Sequence, residues 1–272
     1  MKKIKVIGIL LFALFSFYYT DKVSNIIKKN DPIMTGINNV KNDMVVNKID
    51  PIIMNDEYVV GLNGCVVDEE ESYKKMKEVG SFKEELLVMK EDEIENTTNK
   101  YIVGGCKNKR NISIIFIDLL NDKLTKYIED NHIKTNYFLD AEYISNNISK
   151  LMELNKVSSI YNYGRNKEYL SRYIKYDNAL INSNFNNKSS YCLVVDKNED
   201  TLNLCSLNRM KVIKPVVIKD ANEIKNNISN GKIILIDSKE YDKIEYSINY
   251  ILSKGYNIVY LDELLSTNNS CN

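Results

Sequence analysis

Residues 111–139 hold a β-branched apolar run, an amphipathic run and a second uncharged run, and this unit repeats toward the C-terminus. Ile112-Ser113-Ile114-Ile115-Phe116-Ile117 and Thr135-Asn136-Tyr137-Phe138-Leu139 have the make-up of strands buried on both faces. Between them, residues 121–131 place Leu124, Tyr127 and Ile128, with Ile133 just beyond, near one face of a helix. Strand, crossover helix and parallel strand make a right-handed unit, and repeated units of this length close into a barrel or distorted barrel. Chemistry in such folds lies in the loops at the carboxyl ends of the strands. Those loops decide the functional reading.

The repeat continues with a helix over 140–154 and a strand at 157–160. A polar loop, Asn162-Tyr163-Gly164-Arg165-Asn166-Lys167, precedes a helix to about residue 176. Further strands are expected at 179–181, 191–195, 212–213, 216–218, 233–236 and 257–260, with helices over 199–209, 221–228 and 239–253. Ahead of the barrel, short apolar pieces at 33–37, 44–46, 51–54, 58–60 and 86–89 suggest a small β-rich unit, with a helix from Asp68 through Val79. Asp68-Glu69-Glu70-Glu71 is the acidic start of that helix rather than a calcium loop. The domain plan is therefore 1–20 as membrane anchor or uncleaved signal, 21–30 as spacer, 31–100 as small β-rich domain, and 101–272 as barrel.

Met1-Lys2-Lys3 ahead of an apolar run from Val6 to Tyr19 directs the chain to a membrane. No small-residue pair offers a clear cleavage site, which favours an uncleaved anchor over a cleaved signal peptide. A helix over residues 4–19 spans about 24 Å, short of a hydrocarbon core of roughly 30 Å, and Tyr18 and Tyr19 suit the interface. The expectation is a single-pass protein with its bulk outside the cell. Lys+Arg and Asp+Glu both total 37, so the net charge is zero and nothing tracks a phosphate backbone. Nucleic acid is excluded as a partner on that ground. An exported chain with Cys65, Cys106, Cys192, Cys205 and Cys271 permits disulfides such as Cys65–Cys106 or Cys192–Cys205, but buried free thiols are the reading favoured for these residues.

Asn131-His132-Ile133-Lys134-Thr135-Asn136-Tyr137-Phe138-Leu139 looks like the "NNIKATFFV" segment of the NodB-type polysaccharide deacetylases. Residues 231–237 and 254–265 resemble that family's ending, "GxIILLH", a helix, then "KGYxFVTLxELL". The resemblance covers about 110–265 and implies an α/β fold, a distorted (β/α) barrel of the polysaccharide deacetylase type. It also implies a chemistry, removal of acetyl groups from chitin- or peptidoglycan-type glycans with a divalent metal such as zinc. That reaction uses an aspartate base and a metal-ligand aspartate in "TFDDG", two ligand histidines in "HxxxH" and a histidine acid in the late "LLH".

These chemical positions are where this sequence departs from the family. Asp118 stands at the ligand position of "FDDG", but Ile117 occupies the place of the base. Tyr163 and Lys167 stand where the two histidines belong, and Asp237 falls on the late histidine. "RxPxG" has no clear counterpart. The single histidine, His132, lies between helix and second strand, at the opposite end of a barrel. An ammonium at a ligand position repels a cation, so Lys167 is expected to pair with Asp118 in place of a metal.

The expected function is a non-catalytic, membrane-anchored extracytoplasmic protein with a cleft for cell-wall glycan or an envelope protein. Asp118, Tyr161, Asn162, Tyr163, Arg165, Lys167 and Asp237 are the candidate cleft residues, the tyrosines supplying aromatic faces for sugar rings. A solvated Asn/Tyr-rich loop is the plainer reading of 161–167. No cofactor is expected unless the chain is an active metal-dependent deacetylase with a rearranged site, which is the first alternative. The second is a structural factor in envelope assembly, division or sporulation, acting through residues 31–100.

Overall fold

The computed structural model of the protein describes residues 15–16, 18–20, 22–23, 26–95, 99–185, 191–268 and 271. The chain divides into two compact units. The smaller takes the described residues up to Lys48, Asn63–Glu93 and Cys271; the larger takes Ile49–Leu62 and Ile94–Asn268.

In the smaller unit the apolar piece at 33–37 is a helix, Pro32–Val40, where a strand was expected. Asp31 caps it by accepting the Ile33 N–H, Pro32 stands in the first turn, and Ile33, Met34 and Ile37 bury one helical face. Asp-Pro opened a helix here. Glu69–Val79 is helical as expected, capped by the Asp68 carboxylate and closed by Gly80 at φ 81°. The strands of this unit are Gly64–Val67 and Met89–Asp92, paired antiparallel. A disulfide joins Cys65 to Cys271, and Val67 and Met76 meet the first helix in a core of their own. The expected β-rich domain over 31–100 is thus a mixed α/β unit, and residues 49–62 belong with the barrel.

The larger unit carries eleven strands among its described residues. They are β1 (Ile52–Met54), β2 (Glu57–Val59), β3 (Tyr101–Gly104), β4 (Asn111–Phe116), β5 (Thr135–Leu139), β6 (Ser158–Asn162), β7 (Tyr191–Leu193), β8 (Lys211–Ile213), β9 (Val216–Ile218), β10 (Ile233–Ile236) and β11 (Asn257–Ile258). The helices are α1 (Asp122–Asp130), α2 (Ala141–Asn146), α3 (Ile148–Leu154), α4 (Ile174–Asn184), α5 (Glu199–Leu207), α6 (Ile224–Asn227), α7 (Tyr241–Ser253) and α8 (Leu261–Leu264). One sheet runs β1-β2-β3-β8-β7 and the other β9-β10-β4-β5-β6, with β11 on β4. Every pairing is parallel except the β1–β2 hairpin. Consecutive strands β8 and β9, separated by Lys214-Pro215, belong to different sheets, and this step distorts the barrel.

Side-chain alternation sorts the strands into two layers. Ile112, Ile114 and Phe116 of β4 face outward to Leu124 and Ile128 of α1 and to Ile244, Ile248 and Ile251 of α7. Ile115 faces inward with Phe138, Tyr161 and Leu235. Asn136 is fully buried; its amide donates to the Ser113 hydroxyl and the Ile114 carbonyl at 2.9 Å each, and its oxygen accepts the Leu261 N–H at 2.9 Å. It ties β4, β5 and α8 together. Residues 179–181, expected as a strand, lie in α4, whose Ile174, Asp177 and Ile181 face inward at helical spacing. The expected helix over 140–154 breaks at Asn147 into α2 and α3.

Among the described residues no helix is long and apolar enough to cross a membrane. Most of the apolar run from Val6 to Tyr19 lies outside them. Of the possible disulfides, Cys192–Cys205 forms, while Cys65 takes Cys271 and leaves Cys106 as a buried thiol.

Candidate functional site

Because β4 and β10 are adjacent and parallel, the residues after each emerge side by side at one rim of the barrel. Asp118 follows β4 and Asp237 follows β10, and both line a cavity of about 220 Å³. Ile117, Leu119, Leu120 and Ile236 give its apolar wall; Asn121, Ser238 and Lys239 add polar groups. The Lys239 ammonium lies 3.3 Å from Asp118 Oδ2, with both side chains substantially exposed. Asp118 therefore pairs with Lys239, two residues past Asp237, and not with Lys167 as the sequence suggested. Asp237 has no ion-pair or side-chain hydrogen-bond partner among the described residues.

Tyr163 follows β6 and is 7% exposed. Burial, and after it the negative charge of Asp237, push its phenol above the ordinary range. The hydroxyl has no hydrogen-bond partner among the described residues, and Tyr163 is not one of the residues lining the cavity.

The other candidates build the scaffold. Tyr161 is 2% exposed, stacks on Phe138 with ring centroids 5.0 Å apart and meets Tyr191 edge-on at 5.4 Å. Its hydroxyl donates to Asp262 Oδ2 at 3.1 Å, while the Tyr191 hydroxyl donates to Oδ1 at 2.9 Å. It is a core residue and offers no face to a sugar, because its parity on β6 points it inward with Phe138 and Ile115. Asn162 is also buried, accepting the Gly164 N–H at 2.7 Å and, through its carbonyl, the Tyr169 hydroxyl at 2.9 Å.

Arg165 forms a forked pair with the buried Asp177, at 3.2 Å through Nε and 2.7 Å through Nη2, and lies 4.2 Å from the centre of the Tyr173 ring. Its guanidinium is committed to holding the loop on α4. Asn166 and Lys167 have φ of 52° and 63° in a tight hairpin bridged by Arg165 and Glu168. Gly164 has φ 74°, and a Cβ there would meet the Glu168 carbonyl at 2.2 Å. Asp140, which sequence reasoning passed over, accepts the Asn166 N–H and caps α2. The segment expected either to line a cleft or to be a plain solvated loop is a braced hairpin with Lys167 exposed at its tip.

The donor set at the mouth does not fit the divalent metal implied by the family resemblance. Among the described residues no three His, Cys, Asp or Glu side chains converge, and the carboxylate at the family's ligand position is engaged by an ammonium. His132 lies beside Asn111 and Asn257, at the amino-terminal ends of β4 and β11.

No protein-family model and no curated protein matches the chain. Solved structures do. The chain resembles BA3943 of Bacillus anthracis, a carbohydrate esterase family 4 pseudoenzyme, with a TM-score of 0.61 and 17% identity over 88% of this chain and 96% of that one. A mutant of the same pseudoenzyme with restored enzymatic activity matches with the same TM-score and identity, over 88% of this chain and 99% of that one. The chitin deacetylase of the fungal pathogen Colletotrichum lindemuthianum aligns with a TM-score of 0.52 and 14% identity over 65% of this chain and 96% of that one. The fold is that of the family 4 carbohydrate esterases, in a divergent form. The likeness to the pseudoenzyme reaches beyond the share of the chain matched by the chitin deacetylase.

Proposed function

We propose that this protein is a non-catalytic, deacetylase-like glycan-binding protein of the cell exterior, taking cell-envelope polysaccharide into the mouth of the barrel. The observation that carries the reading is the cavity between Asp118 and Asp237. It keeps an apolar wall and polar groups suited to a sugar, while Ile117, Tyr163 and Asp237 replace the groups that would hold a metal and activate water. Similarity to a pseudoenzyme of the same fold supports it. An oxidising compartment is supported by two disulfides, and the sequence of residues 1–20 supports tethering to the membrane.

The test is a pair of assays on the full chain. Retention on insoluble peptidoglycan or chitin-type glycan, with no acetate released from acetylated chito-oligosaccharides in the presence of zinc, is the expected outcome. Acetate release that disappears in Asp118→Ala would overturn the proposal in favour of an active enzyme.

A further inference from the structure

Where the chain passes from one sheet to the other, β3 and β8 end, β9 and β10 begin, and a second cavity of about 160 Å³ opens between them. It lies wholly within the larger unit, at the amino-terminal end of β10, with Asp237 and the mouth at the other end of that strand. Among the described residues its walls carry three ammonium groups, Lys107, Lys214 and Lys232, against one carboxylate, Glu57, a surplus of two positive charges. Glu57 is already taken, by Lys214 at 2.9 Å and by Lys197 at 3.6 Å. Lys107 and Lys232 have no ion-pair or side-chain hydrogen-bond partner among the described residues.

The backbone fixes where these lysines stand. The Gly105 N–H donates to the Gly231 carbonyl at 2.8 Å, and a Cβ on Gly231 would stand 2.2 Å from the Gly105 carbonyl. The Asn230 side-chain amide donates to the Lys107 carbonyl at 2.8 Å. Lys107 and Lys232 therefore leave two chain segments that are clamped together, while Glu57 steers Lys214. Like charges held in one concavity repel each other, and the cavity concentrates an anion that relieves the repulsion.

We infer that this cavity binds a phosphoryl dianion, as free phosphate or as the terminal phosphate of a monoester. Such a group carries a charge of about −1.5 to −2 at pH 7 and three strong acceptor oxygens, which answers the surplus of two. A lysine ammonium, a compact point charge with three donors, suits phosphate oxygens. A lone carboxylate would bring half the charge. The space agrees, since about 160 Å³ is many times the roughly 10–15 Å³ that one water needs and less than the roughly 300–1,000 Å³ of pockets for drug-sized ligands. A tetrahedral ion fits with part of its water. The site goes beyond the glycan-binding reading and does not rest on it, because none of its residues lines the mouth.

The experiment is isothermal titration of the full chain at low ionic strength, where screening is weak, with inorganic phosphate and, separately, with glucose 6-phosphate. Saturable binding of one phosphoryl group per chain is expected. Losing a charge-assisted contact is worth roughly tenfold to a hundredfold in affinity, so Lys232→Met and Lys214→Met are each expected to weaken binding at least about tenfold, with unchanged circular dichroism. Lys126→Met removes the same charge from the exposed face of α1 and is expected to leave binding as it was. Tighter binding of glucose 6-phosphate than of phosphate assigns the site to a phosphorylated sugar, and the reverse assigns it to the free ion; both outcomes support the phosphoryl site. No saturable binding of either compound overturns the inference. So does binding that survives Lys232→Met, or that falls as far in Lys126→Met, which would make it diffuse attraction to the surface.

Discussion

Tyr161 separates the scaffold from the site, and its replacement has a calculable effect. The ring is 2% exposed, packed on Phe138 and Tyr191, with its hydroxyl on Asp262. Tyr161→Phe removes one hydrogen bond to a carboxylate, worth about 1.5–3 kcal/mol. Because Asp262 keeps the Tyr191 hydroxyl at 2.9 Å, the lower end, about 1.5–2 kcal/mol, is expected. Tyr161→Ala also opens a cavity, at about 3–5 kcal/mol for a buried aromatic ring, and forfeits two aromatic contacts of about 0.5–1.5 kcal/mol each. The sum, about 4–8 kcal/mol, is a large part of the roughly 5–15 kcal/mol available to a domain. Guanidinium unfolding followed by far-ultraviolet circular dichroism reads it as a lower midpoint at unchanged slope. With two units in the chain, each transition is fitted separately. A Tyr161→Ala chain that unfolds at the parent midpoint but loses glycan binding would refute the reasoning and put the ring back in the cleft.

The remaining predictions concern the loop, the small unit and the disulfides. Arg165→Ala leaves Asp177, 3% exposed, as a buried carboxylate without its cation; a loss of about 3–5 kcal/mol is expected in the same unfolding assay. Asp31 accepts from Lys77, the Ile33 N–H and Tyr73, which hold its carboxyl down to about 2. A depressed folded pKa gives stability that is complete above the unfolded value of about 3.9 and is lost as pH falls through about 2, so acid unfolding of the smaller unit is expected in that window and is flattened by Asp31→Asn. Thiol titration of the denatured, unreduced chain is expected to find Cys106 alone, with all five cysteines reacting only after reduction. Cys271→Ser opens a bridge between residues 206 apart; a loss of about 2–5 kcal/mol is expected from thermal unfolding.

The barrel was legible because its signal is local and periodic. Runs such as Ile112–Phe116 and Ile233–Ile236 declare strands buried on both faces, and the helices between them carry one apolar stripe each. A run apolar at every position does not say which side faces the barrel interior, which is why Tyr161 was read as cleft when it is core. Residues 179–181 were ambiguous for the same reason, three apolar-rich positions too short to fix a period. The helix at Pro32–Val40 was readable from Asp31-Pro32, the start signal it uses.

Asp118 and Asp237 were found at the mouth because position after a strand is a property of sequence order. The partners of Asp118, Tyr161 and Arg165 were not, since Lys239, Asp262 and Asp177 are chosen by the closed fold. Lys239 did carry a usable signal, its place just beyond β10. The Cys65–Cys271 pairing carried none, because it joins chain segments that only folding brings together.

Metal content of the purified full-length chain, after exposure to zinc and extensive dialysis, bears most directly on the claim that this barrel binds without catalysing. The account predicts substoichiometric metal, unchanged in Asp118→Ala. One divalent ion held tightly per chain, and lost in Asp118→Ala, would contradict it.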